Sequence, residues 1–262
     1  MKKILALSIL ILTSTGIFSQ ETDQTLYLLF EFMHVEDQNN DDYLAVESFW
    51  TEIHKQRVAD NNILGWDLWQ LIPSGSRQGS QYMTTTLYSS LEALLTGIPD
   101  GKFQDYMNKA YPNKTDDEIN AMMAKTVTSR DIAHQVFCRE INTTKGDFDM
   151  KIGTIVAMDV MKQLDDSYAK AEAEIFKSWH QEMVDKGQKG SWGLIQIILP
   201  TGSEAYGTHL TYSMYGNMAQ LATSMETWGD EMDMLTQLAV QEGLKTRDWK
   251  EVKIGKLIMM VR

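Results

Sequence analysis

The chain matches itself. Residues 50–72 lie over residues 176–198 without a gap, and six positions are identical: His54 with His180, Val58 with Val184, Trp66 with Trp192, Leu68 with Leu194, Gln70 with Gln196 and Ile72 with Ile198. Trp50 meets Phe176 in the same frame. After one inserted residue, Pro73-Ser-Gly-Ser76 meets Pro200-Thr-Gly-Ser203. Allowing a further gap, Tyr82 meets Tyr206, Thr84 meets Thr208 and Tyr88-Ser89 meets Tyr212-Ser213. Near the ends of the two copies, Ser129-Arg130-Asp131 meets Thr246-Arg247-Asp248. A repeat of this length restricts the fold to two units with one shared order of elements. Copy one is expected over residues 20–145 and copy two over 146–262.

Hydrophobic periodicity then supplies that order. Copy one reads as a strand over 26–35, a helix over 41–60, strands over 64–72 and 82–88, helical pieces within 89–128, and a strand over 132–142. Copy two reads as strand 152–161, helix 166–186, strands 191–199 and 206–213, helices within 216–245, and strand 252–261. Thr115-Asp-Asp-Glu118 is a capping box that opens one of the helical pieces. Strand–helix–strand–strand–helix–strand is the ferredoxin-like order, which leaves one sheet face bare. Two copies can cover those faces by closing into one α+β barrel.

In this order and duplication the chain resembles the dimeric α/β-barrel superfamily, with both halves fused in one chain over about residues 25–262. The resemblance implies small ligands held between helix and sheet. Of the three functional classes it implies, the leading expectation is a protein that binds a small hydrophobic or aromatic molecule in a helix–sheet pocket; the alternatives are a cofactor-free or haem-linked oxidoreductase of the monooxygenase kind, and a structural or interaction protein with no ligand. No diagnostic catalytic motif accompanies it, and fold alone does not fix function. Its haem-binding members use a His on a helix, so haem carries over only through the placement of His54 and His180. Otherwise no cofactor and no metal are expected.

The candidate ligand-binding residues are His54, His180, Trp50, Trp66, Trp192, Tyr82, Tyr206 and Arg57. His54 has Trp50 one helical turn before it and Val58 one turn after; His180 has Phe176 and Val184. Both imidazoles therefore lie on or beside the helix face that packs on the sheet. Two readings stay open: a pair of pseudo-symmetric pockets with a His in each, or two core histidines bonded to the backbone. Trp66, Trp192, Tyr82 and Tyr206 open strands and describe either pocket walls or a barrel core. Trp50, Trp69 and Arg57 have no counterpart of their kind in copy two, so if only one pocket works, copy one is the better candidate. There Arg57 would meet an anionic ligand, unless it lies on a solvated helix edge. The recurring Arg-Asp pairs are expected to anchor turns.

Several classes are excluded by what is missing. There is no G-x-S-x-G, P-loop, G-x-G-x-x-G or H-E-x-x-H, and no calcium-loop spacing. The 17 methionines fall in strand and helix patterns and read as core filler. A formal charge of −12 argues against nucleic acid as a partner. One cysteine, Cys138, excludes an intrachain disulfide, and its strand-like setting reads as a buried, inert thiol. Lys2 and Lys3, the apolar run Ile4 to Leu12 and the small residues before Gln20 read as a secretory signal over residues 1–19. The expectation is a secreted or periplasmic protein with no membrane partner after cleavage.

Overall fold

The computed structural model describes residues 25–75, 77–227 and 232–262. The expected export segment, residues 1–19, lies outside the described residues. Eight strands are seen among the described residues: β1 (Tyr27–His34), β2 (Gly65–Ile72), β3 (Tyr82–Tyr88), β4 (Asp131–Thr143), β5 (Ile155–Gln163), β6 (Ser191–Leu199), β7 (His209–Tyr215) and β8 (Arg247–Val261). They close into one barrel in the order β1-β3-β2-β8-β5-β7-β6-β4, with every pairing antiparallel. The first four strands run β4-β1-β3-β2 across the sheet and the last four run β8-β5-β7-β6. The two sets meet along β2–β8 and β4–β6, so closure leaves no free edge.

Side chains alternate across each strand. Leu28, Phe30 and Phe32 of β1 and Val156, Met158 and Val160 of β5 point into the lumen, where they pack with Trp69, Met83, Val136, Cys138, Ile195, Leu210 and Leu257. The lumen is a filled core. Cys138 is fully buried in it, and burial pushes its thiol well up. Gly193 is required here: the Tyr212 ring lies over it, and a Cβ would come within 2.4 Å of that ring. Tyr212 of β7 reaches over β6 at this glycine and donates to Glu140 of β4 at 2.6 Å.

Helices cover the outer face. The first half has α1 (Asn40–Ala59), α2 (Leu91–Thr96), α3 (Lys102–Ala110) and α4 (Asp116–Thr128). Thr115 and Glu118 form the expected capping box at the start of α4. In the second half, α5 (Tyr168–Ala171) and α6 (Lys177–Asp185) are joined by a π-turn over Glu172–Phe176 into one continuous helix. The helices α7 (Met218–Glu226) and α8 (Met234–Leu244) follow. No helix among the described residues is long and apolar enough to cross a membrane.

Three expected boundaries move. β5 starts at Ile155 because Gly153 makes a left-handed turn before it (φ 96°). β8 starts at Arg247 because Arg247 to Trp249 ladder onto Gln163 to Met161. β7 starts at His209, which corrects the expected match of Tyr82 with Tyr206. Read on from Pro73 and Pro200 without a further gap, Tyr82 falls on His209, Thr84 on Thr211 and Tyr88 on Tyr215. The ladder agrees: Met33 faces Tyr82, and Met161 faces His209. The helix caps agree too, since Ser90 accepts from the Ala93 amide and Asn217 from the Gln220 amide.

Candidate functional site

Each half places a His against a Trp between helix and sheet. His54 on α1 stacks on Trp66 of β2 with ring centroids 4.8 Å apart, and His180 on α6 stacks on Trp192 of β6 at 4.9 Å. A cation donates to the Nδ1 of each ring. In the first half it is Arg57, 3.3 Å from His54 Nδ1. In the second it is Lys189, 2.9 Å from His180 Nδ1. A guanidinium or an ammonium can only donate, so each Nδ1 accepts and each ring carries its proton on Nε2. Burial first, and the neighbouring cations second, hold both imidazoles well below their usual range and hence neutral.

The two cations come from different places. Counting in register from the histidines, Arg57 corresponds to Met183 and Lys189 to Ile63. Arg57 is buried, donating through Nε to Asn62 at 2.7 Å and through Nη2 to Tyr88 at 3.2 Å as well as to His54. It ties helix to strand and is not on a solvated edge. His54 is itself buried, and Trp50 donates to Thr126 of α4 at 3.2 Å. Trp69 points into the lumen. The features expected to open a pocket in the first half instead build its packing.

In the second half the corresponding space holds a cavity of about 280 Å³. Phe176, Trp179, Trp192, Tyr215 and Trp249 form aromatic walls, and Asp159, His180, Lys189, Ser213 and Arg247 supply the polar groups. His180 keeps some surface toward the cavity where His54 keeps almost none, although its ring is as desolvated as that of His54. Lys189 is 4% exposed and also donates to Ser213 Oγ at 3.0 Å. Its Nζ lies 6.0 Å from the Trp179 ring centre and 5.8 Å from that of Tyr215. Desolvation brings the Lys189 ammonium down to about 8, with the nearby Asp159 carboxylate opposing the shift. Desolvation also pushes the Asp159 carboxyl up, against the bond that Thr211 donates to it at 2.9 Å and the charges of Arg247 and Lys189.

Arg247, at the start of β8, pairs with the buried Glu172 of the π-turn and lies over the Phe176 ring at 3.9 Å. Its Nε is buried with no hydrogen-bond partner among the described residues. Arg130 and Glu47 make the matching pair in the first half. The repeated Arg therefore pins strand to helix in both halves, which corrects the expectation that the Arg-Asp pairs anchor turns: Asp131 and Asp248 lie within the strands.

Of the other candidates, Tyr82 is buried, packs its ring near that of Tyr43 at 4.7 Å and donates to Asn40 at 2.6 Å. Tyr206 is 56% exposed and lies at the barrel mouth with Pro200, Glu251 and Lys253, away from His180. Sequence reasoning misses Lys189, Asp159 and Arg247 as cavity groups. The signal for Lys189 is present: it is a Lys at the place of a buried Ile in an otherwise gapless match. Among the described residues, no group of three His, Cys, Asp or Glu is placed to hold a metal ion.

No protein-family model matches the chain, and no curated protein matches it. Solved structures do. A monooxygenase candidate from Lactobacillus acidophilus NCFM superposes with a TM-score of 0.57 at 9% identity, covering 91% of this chain and 96% of its own. An anthrone oxidase-like protein gives 0.55 at 10% identity, covering 92% and 94%. A haem-binding protein from Thermus thermophilus gives 0.50 at 10%, covering 90% and 93%. At these identities the likeness is one of fold: a mixed α+β chain with a closed eight-stranded antiparallel barrel, similar to the dimeric α/β-barrel proteins.

Proposed function

We propose that the protein is a cofactor-free, monooxygenase-like enzyme acting on a small hydroxylated aromatic or enolic compound in the second-half cavity. The observation that carries this reading is Lys189, held by His180 at 2.9 Å and Ser213 at 3.0 Å inside aromatic walls. An oxygen losing its proton there meets a buried cation, which stabilises the anion far more than water-exposed charge would. Asp159 is the group available to take the proton, since the one ring lone pair of His180 already receives an N–H of Lys189. An electron-rich anion of this kind is able to react with O₂ without a metal. The named neighbours, one a monooxygenase candidate and one anthrone oxidase-like, support this reading over simple binding.

Haem enters as a candidate through the haem-binding neighbour, and the residues do not fit it. A metal-ligating His donates its second ring nitrogen to a carboxylate or carbonyl. His180 and His54 instead accept there from a cation. The cavity of about 280 Å³ is also at the lower end for drug-sized ligands and too small for a tetrapyrrole.

The test is tryptophan fluorescence and oxygen uptake with 1-naphthol and anthrone, in the presence of a chelator, on the native protein and on Lys189→Met. Saturable quenching with chelator-resistant O₂ consumption, both lost in Lys189→Met, is expected. Binding without O₂ consumption would leave the binding-protein reading; no quenching would end both.

We further infer that the halves, about residues 20–145 and 146–262, descend from one duplicated ferredoxin-like unit. The six identities and the equal strand orders support this. Export by cleavage near Gln20 is proposed from the residues before it. The intact mass of protein recovered outside the cytoplasm tests that; an uncleaved N-terminus would refute it.

A further inference from the structure

We propose that Lys189 is a covalent capture site for carbonyl compounds, its ε-amine condensing with the aldehyde or ketone of a small aromatic molecule in the second-half cavity. The proposal rests on the preceding reading only in that the cavity must admit an aromatic ring. Three observations carry it. The fold does not need a lysine at this place, since the first half holds Ile63 there, packed in an apolar cluster. The two hydrogen bonds to His180 and Ser213 occupy two of the three outward positions of a tetrahedral nitrogen. The third is a proton in the ammonium and a lone pair in the amine, in a residue that lines the cavity. Finally, the titratable groups around it suit the step. His180 from α6 is held neutral by burial and by the charges of Lys189 and Arg247, and Asp159 from β5, the carboxylate that opposes the downward shift of Lys189, has a raised carboxyl pKa.

The step is a condensation without redox change. The amine lone pair forms the C–N bond as the carbonyl π pair moves to oxygen. Two N–H protons leave nitrogen, two protons reach the oxygen, and the oxygen departs as water to give the imine. His180 Nδ1, which already receives an N–H of Lys189, is placed to accept the first proton. The Asp159 carboxyl is the group suited to deliver one to the departing hydroxyl.

The experiment is reductive trapping of 4-hydroxybenzaldehyde with cyanoborohydride at pH 8, followed by peptide mass spectrometry of the full-length protein. At that pH about half of Lys189 is free amine, against less than about 1% of an ordinary lysine. Lys189 is expected to label on the order of ten-fold or more faster than the exposed Lys55, Lys170 and Lys245. His180→Gln, which can still accept from Lys189, should slow Lys189 labelling and leave Lys55 unchanged. A buried lysine serving packing alone would be the slowest to label, and that result would overturn the proposal. Naphthol binding without Lys189 labelling would refute capture while leaving the proposed function standing. Loss of both would refute both.

Discussion

Lys189 carries a cost that Ile63 does not. Its ammonium is desolvated, and its pKa of about 8 lies below the ordinary 10.5. Between those values the unfolded chain binds a proton that the folded chain does not, so stability rises with pH there. The penalty below pH 8 is about 3 kcal/mol by linkage. We expect urea titrations at a series of pH values to show the native protein gaining on Lys189→Met by about that amount from pH 8 to 10.5. A pH-independent difference would mean that the lysine is not desolvated in solution. The histidines separate in the same way. His54→Ala removes a buried ring from Trp66 and Arg57 and should cost about 1–3 kcal/mol without changing naphthol affinity. His180→Ala should weaken naphthol binding roughly ten-fold. Thermal melts and fluorescence titrations on both variants check this, and equal effects in both would remove the distinction between the halves.

At the scale of elements, the π-turn marks where the two long helices differ. Glu47 precedes His54 by seven residues, and Glu172 precedes His180 by eight. Both glutamates pair with the arginine that leads into the last strand of their half, and both histidines stack on the equivalent Trp. The extra residue must therefore be absorbed between them, and the π-turn at Glu172–Phe176 absorbs it. Deleting the exposed Glu174 should restore a regular helix and shift Tm by no more than about 4 °C. The same deletion should alter naphthol affinity, because Phe176 and Trp179 line the cavity and their placement depends on the turn. A collapse in Tm would show that the π-turn is needed for folding. Arg130→Met, by contrast, leaves Glu47 buried without its partner and should cost about 3–5 kcal/mol by urea unfolding. Restoration of most of that loss in the Glu47→Leu double variant would identify the unpaired charge as the cause.

The whole molecule is held by its two seams. β8 pairs with β5 over Arg247–Lys256 and with β2 over Ile254–Val261, and β4 pairs with both β1 and β6. The lumen core takes side chains from all eight strands of the barrel, so neither half closes it alone. Residues 25–145 expressed alone would expose two edge strands and the lumen faces of β1, β2, β3 and β4. Aggregation, or a homodimer that mimics the second half, is the expected outcome by light scattering and sedimentation. A monomer with a cooperative melt would show that the seams are dispensable.

What the sequence determined is what local periodicity and self-comparison can carry. The alternation in β1 and β5, the capping box at Thr115 and the gapless match around the two histidines each report a short-range rule. Such rules place elements within a few residues and set their order along the chain. Register across strands lies beyond them, because it depends on backbone hydrogen bonds to distant segments. Self-comparison admits Tyr206 opposite Tyr82 with a further gap or His209 without one, and the ladder selects His209. The choice of half is likewise a tertiary decision. Trp50, Trp69 and Arg57 make copy one look like the richer pocket, yet folding sends Trp69 into the lumen and commits Arg57 to three internal hydrogen bonds. The second half lacks those groups and keeps its cavity, and a lysine 126 residues on from Ile63 becomes a buried cation beside His180 only once β6 lies against the helix.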